Sequence, residues 1–175
     1  SNAADALDKL RFRAITEPAL LAGDASLEVR IVPDRAARTL TIEDNGIGMT
    51  RDELAKNLGT IAHSGSRAFI DAFAKQGQAD KTDSVSLIGQ FGVGFYSAYL
   101  VADRVTVTSR AAGTDQGFAW SSDAKSDTFT VAPAERASRG TSVTLHLKED
   151  QLGYADEYRL RELITRYSDF VGHAI

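Results

Sequence analysis

Two glycine-centred clusters carry the residue types in this chain that could do chemistry. The first is Asp44-Asn45-Gly46-Ile47-Gly48-Met49-Thr50, a carboxylate followed by two glycines one residue apart. Such glycines let backbone come close to a flat ligand. Asn-Gly after an alternating strand is also the signature of a tight hairpin turn. No return strand comes after Gly48, however: Thr50 and Glu53 make a capping box that opens a helix. The second cluster is Gly89-Gln90-Phe91-Gly92-Val93-Gly94, a glycine-rich stretch entering an apolar run. Free N–H groups at a helix N-terminus, with the positive end of its dipole, make a phosphate cradle. The spacing reverses the dinucleotide fingerprint and no Gly-Lys-Ser/Thr comes after it. These residues alone leave a tight structural connection equally open.

Other chemistries find little support. His63, His146 and His173 are scattered without metal-ligand spacing. His146 alternates with Leu145 and Leu147 and reads as a half-exposed strand residue. Ser97 lies in no Gly-x-Ser-x-Gly elbow. Cysteine is absent, which excludes disulfides, thiolate metal sites and thiol nucleophiles. Lys and Arg number 20 against 24 Asp and Glu, a net charge of -4, so a broad basic face for nucleic acid is not expected. No apolar run reaches the roughly 20 residues of a membrane helix. No secretory signal heads the chain, and a cytoplasmic location with no membrane partner is the expectation.

The elements that must position these clusters can be read from periodicity. With 175 residues, of which 43% are hydrophobic, the chain has material for one domain spanning 1–175. Helical spacing covers 3–22, with Gly23 as its stop. Residues 27–32 and 39–43 alternate as a hairpin around Pro33-Asp34-Arg35. Helices are expected from Thr50, over 66–75 and over the apolar run 95–102, with a polar loop at 76–84. Short strands are expected near 104–109, 117–121, 128–132 and 141–147. An amphipathic helix over 155–171 closes the chain, its apolar side carrying Tyr158, Leu163, Ile164, Tyr167 and Phe170. Hairpins and helices in separate runs predict an α+β two-layer sandwich, a mostly antiparallel sheet with helices on one face.

Taken together, several blocks resemble the ATP-binding domain of the heat-shock protein 90 chaperones, the bacterial form being nearest. They are Asp44–Thr50, Leu58-Gly59-Thr60-Ile61-Ala62, Ser64-Gly65, Gly89–Ser97, Val101-Ala102-Asp103-Arg104-Val105 and Arg139-Gly140-Thr141. Histidine kinases, type II topoisomerases and MutL, which share the Bergerat (GHKL) ATPase fold, are the alternative; they share only the Asp-x-Gly-x-Gly element and a glycine-rich lid.

The resemblance implies a role for each residue. Asp44 would accept a hydrogen bond from the adenine amino group, with Gly48 giving the base room and Thr141 supporting the same edge. Met49 and Phe95 would wall the pocket, and Asn57 would sit near the ribose and phosphates. Backbone N–H groups of Gly92, Val93, Gly94 and Phe95 would face the phosphates. Residues from about 59 to 94 would form a lid. Asn2 would coordinate Mg²⁺, with Asp5 and Lys9 on the same helix face. ATP or ADP with Mg²⁺ would be the ligands. Client proteins and co-chaperones would be the partners, and the full-length protein a homodimer.

Two departures from the family pattern stand out. His63 replaces the usual lysine after Thr-Ile-Ala, so a fixed positive charge there is in question. The family's first strand and helix, with the glutamate that acts as general base, fall upstream of residue 1, and its last strand falls beyond Ile175. Chain 1–175 is therefore expected to contain no catalytic base and to hydrolyse almost no ATP.

Overall fold

The computed structural model describes residues 2–63, 94–123, 128–168 and 172–175. The sequence expectations for a helix over 66–75, a loop over 76–84, most of the lid, Gly92, Val93 and Phe170 lie outside these residues.

Helix α1 (Asn2–Ala14) carries Asp5 in its first turn and Arg11 and Arg13 in its last, complementing the helix dipole. It buries Leu7 and Leu10 completely. It ends eight residues short of the expected boundary at 22. Pro18 is the reason: the residue before a proline is pushed out of the α region, and Glu17 sits at φ -129°, ψ 70°. A 3-10 turn over Pro18–Leu21 comes next, and the chain reverses through left-handed Ala22 and Gly23.

Strands β1 (Val29–Asp34) and β2 (Thr39–Asp44) form the expected hairpin. The strand β1 extends through Pro33 and Asp34, which were expected in the turn; the turn is 35–38, with Arg38 at φ 55°. Proline is tolerated there because β1 is an edge strand. Helix α2 (Arg51–His63) opens on the expected capping box. Thr50 N–H donates to Glu53 Oε2 at 2.8 Å, and Glu53 N–H to Thr50 Oγ1 at 3.3 Å.

The apolar run at 95–102 is not one helix. It forms a 3-10 turn over Gly94–Ser97 and a single α-turn, α3 (Ala98–Val101), before the backbone extends at Ala102. Its apolar residues are satisfied by the core rather than by helix length: Tyr99 and Ala102 are both buried there.

Strands β3 (Ala102–Arg110), β4 (Gly117–Asp123), β5 (Thr130–Ala134) and β6 (Gly140–Leu147) complete the sheet. The order is β1-β2-β6-β3-β4-β5, and each neighbouring pair is antiparallel. Pro133 lies in β5, at the other edge. A parallel bridge joins Glu28 to Ala174.

The final helix, α4 (Glu157–Ser168), buries Leu160. Tyr158 and Tyr167, expected on its apolar side, are 80% and 64% exposed. Tyr158, two residues from Leu160, lies on the opposite side of the helix.

The two layers arise from period-two alternation in the strands. On one face Leu40, Leu145, Val105, Val107 and Trp120 pack against Leu54 and Leu58 of α2, Tyr99 and Leu160. On the other face Thr41 and Thr144 share a 3.1 Å hydrogen bond, and Arg104 meets His146 at 3.3 Å. The observed fold is thus the expected α+β architecture.

Candidate functional site

At one end of the core the inward-facing residues of three adjacent strands change from apolar to polar. Ile42, Val143 and Val107 lie side by side on β2, β6 and β3. Two residues further along, the same row reads Asp44, Thr141 and Ser109, all buried. A carboxylate and two hydroxyls inside a sheet–helix interface cost stability unless they are hydrogen-bonded. Thr141 Oγ1 and Ser109 Oγ are 2.8 Å apart, Ser109 donates to Gly140 O at 3.1 Å, and Ser109 accepts from Met49 N–H at 2.8 Å. Asp44 Oδ1 accepts from Gly46 N–H at 2.9 Å.

Burial dominates the Asp44 electrostatics. Its carboxyl is pushed up to about 6, against the opposing pull of the Gly46 N–H, the Arg136 charge and the Thr141 N–H. Arg136 approaches from behind, donating to the Asp44 carbonyl at 3.4 Å and to Ser142 Oγ, which in turn donates to Glu43 at 2.8 Å. Burial lowers the Arg136 guanidinium, while Glu43 and Asp44 raise it.

The folded chain holds its Asp44 proton to a higher pH than the unfolded chain, so stability falls as pH rises from about 4 through about 6. The shift from 3.8 to about 6 amounts to about 3 kcal/mol at neutral pH. Asp44→Asn keeps the shape without the desolvated charge. It should melt higher than the parent at pH 7 without ligand, and the difference should shrink towards pH 4. Thermal scans at several pH values check this; a difference independent of pH would contradict it.

The segment after the carboxylate is packed closely by backbone from other elements. Asn45 does not make a hairpin turn. Its side chain donates to Ser26 O at 2.6 Å and accepts from Glu28 N–H at 2.9 Å, holding loop 24–28. Helix α1 crosses at Gly46, where an added Cβ would lie 2.6 Å from the Ala6 carbonyl carbon, and Ile47 N–H bonds Ala6 O at 3.1 Å. Gly48 has φ +65°, and a Cβ there would collide with the Arg110 carbonyl.

The other sequence-predicted residues lie on several elements. Met49 and Phe95 are half-buried against the core, and the Phe95 ring meets Trp120 edge-on at 5.8 Å. Asn57 is exposed on α2, its amide 3.9 Å from Met49 Sδ. Asn2, Asp5 and Lys9 are exposed on one face of α1. Gly94 lies in the 3-10 turn. His63 ends α2. Among the described residues no group of three or more His, Cys, Asp or Glu could hold a metal ion.

Sequence reasoning missed Ser109 and Arg136, and quoted Arg139 in the Arg139-Gly140-Thr141 block without giving it a role. Ser109 was discoverable: it continues the buried alternation of Val105 and Val107, where a hydroxyl must have a partner.

Comparison with known proteins matches residues 14–153 to the family described as histidine kinase-, DNA gyrase B- and HSP90-like ATPases. The chain belongs to this family. As an HSP90-like ATPase domain it carries the family's nucleotide-binding fold, with Asp44 at the end of β2. It is similar to the chaperone protein HtpG of Myxococcus xanthus, 69% identical over 100% of this chain and 26% of that protein. It is also similar to HtpG of Rhodospirillum rubrum, at 56% identity over 98% of the chain and 27% of that protein. HtpG of Bordetella avium is 54% identical over 98% of the chain and 26% of its own length. The chain spans about a quarter of the length of these curated relatives. A match over 100% of this HSP90-like ATPase chain includes the α1 segment that carries Asn2.

Proposed function

We propose that the Asp44 end of the core binds the adenine of ATP or ADP. In this reading the chain is the nucleotide-binding domain of a cytoplasmic, stress-responsive, ATP-dependent chaperone. The observation that carries it is the buried Asp44 carboxylate beside Thr141 and Ser109, followed by two glycines on which α1 and β3 backbone pack directly. A carboxylate held there accepts a hydrogen bond from an exocyclic amino group and repels a carbonyl, which favours adenine over guanine.

The residues present fit such a ligand. Met49 and Phe95 offer apolar surface to the base, and Asn57 lies on α2 next to Met49. Asp5 and Lys9 line the α1 side, and the Asn2 amide oxygen would hold Mg²⁺. Magnesium needs few protein ligands when phosphates supply the others. The roles of Gly92 and Val93 towards the phosphates, with Gly94 and Phe95, and of 59–94 as a lid rest on the resemblance. Bound ATP supplies the phosphoryl group whose hydrolysis to ADP and phosphate would drive client remodelling in the whole, dimeric protein, with co-chaperones as further partners.

Thermal shift tests the binding claim. A ligand that binds only the folded chain stabilises it by about 2.7 kcal/mol at a hundredfold excess over Kd. ADP with Mg²⁺ should therefore raise Tm by about 5–10 °C for a domain of this size, and GDP should not. No shift and no titration heat with millimolar ADP would refute the reading.

A further inference from the structure

Arg139 is buried, 7% exposed, and its guanidinium hydrogen-bonds carbonyls rather than a carboxylate. Nη1 donates to Leu21 O and Nη2 to Asp24 O, each at 2.7 Å, while Nε has no partner among the described residues. Its ion pair with Asp24 is long, Nη2 to Oδ2 at 3.9 Å. A buried cation bonded mainly to neutral carbonyls is a costly way to add stability, since an apolar side chain of the same volume avoids the desolvation. What arginine adds is geometry: its rigid fork fixes two acceptors at once, which lysine cannot do.

The two acceptors belong to the reversal after α1. Leu21 ends the 3-10 turn and Asp24 comes after the left-handed pair Ala22 and Gly23. On the other side, Arg139 adjoins Gly140, which has φ +109° and where an added Cβ would overlap the Asp44 carbonyl. The next residue, Thr141, pairs with Asp44. The fork therefore joins the tail of α1 to the strand beside Asp44. Helix α1 is also held along its middle, by Ala6 against Gly46 and Ile47, by the buried Leu7 and Leu10, and by His173 Nε2 at 3.1 Å from Asp8 Oδ1. A helix fastened only at its middle can pivot; a second fastening beyond its C-terminus removes that freedom.

We infer that Arg139 is a positioning residue that sets the angle of α1, and so the placement of Asn2, Asp5 and Lys9, relative to Asp44. This rests on the adenine-nucleotide reading of the site, with the base at Asp44 and the phosphates and Mg²⁺ towards α1.

Two ligands separate the two ends. Adenosine reports on Asp44 alone, and ADP with Mg²⁺ reports on Asp44 and α1 together. Calorimetric titration of the parent and of Arg139→Met, with Tm measured alongside, should show adenosine affinity changed by less than about twofold. The preference for ADP with Mg²⁺ over adenosine should fall about tenfold, the scale that misplacement by a fraction of an ångström produces. Arg139→Lys should lose the preference too, because it keeps the charge without the fork, and it carries the comparison if Arg139→Met does not fold. Equal losses for both ligands, or no loss for either, would overturn the inference. A parent chain that binds neither ligand would overturn the adenine reading itself, which is a distinguishable result.

Discussion

Asp44→Asn is expected to abolish adenine-nucleotide binding while leaving the chain folded and, at pH 7, more stable than the parent. The two effects share one cause. Burial raises the Asp44 carboxyl to about 6, so the unliganded fold bears the cost of a desolvated charge. A ligand amino group recovers that cost by donating to the carboxylate. Asparagine can still accept from Gly46 N–H, but its amide end can present a donor to a donor. Charge-assisted hydrogen bonds are about twice as strong as neutral ones, and a site built for a missing partner discriminates steeply. The expected weakening is at least about a hundredfold. Calorimetric titration with ADP and Mg²⁺ measures it, and retention of affinity within about fivefold would show that Asp44 does not touch the base. Binding by the parent should also weaken below about pH 6, as the carboxylate takes up its proton.

Gly48→Ala is expected to have the largest effect on stability. Two independent penalties coincide at this residue. Its φ of +65° is unfavourable for alanine by roughly 1–2 kcal/mol. The added Cβ would also overlap the Arg110 carbonyl, which belongs to β3 and cannot yield as a flexible side chain could. Neighbouring bonds spread the damage, because Met49 N–H is held by Ser109 and Ile47 O by Ala112 N–H at 2.8 Å. The cost should reach about 4 kcal/mol or more, the range reserved for backbone strain combined with overpacking. That corresponds to a fall in Tm of about 10 °C or more. A melting temperature within about 2 °C of the parent would mean that the 46–50 segment shifts freely, and that Gly48 does not fix the pocket.

The strands were legible because inward and outward residues alternate cleanly, as in Leu40 and Ile42 or Val105 and Val107. Helix α2 was legible because its cap is encoded locally by Thr50 and Glu53. Boundaries failed where tertiary packing overrode local pattern. The run at 95–102 looks helical by composition, but its apolar side chains are consumed by the core within one turn, and β3 begins. Tyr158 and Tyr167 look like core residues by hydrophobicity, yet α4 turns Leu160 inward.

Asp44 could be singled out because a carboxylate beside Gly-x-Gly is chemically unusual. The hydroxyls beside it are less obvious, since Ser109 and Thr141 differ from ordinary strand residues only in being buried. Arg139 was hidden more deeply: its partners are backbone carbonyls more than a hundred residues away, and main-chain acceptors leave no mark on a sequence.

Of the three prolines in the chain, Pro33 and Pro133 occupy the two outermost strands, β1 and β5. An exposed strand edge is a template on which another polypeptide can add and propagate. Each proline deletes one amide donor from such a template. A second copy approaching either margin would find a ladder with a missing rung. Each margin is thereby a poorer template for a strand from a second copy, which works against fibre-like growth when many copies are made at once.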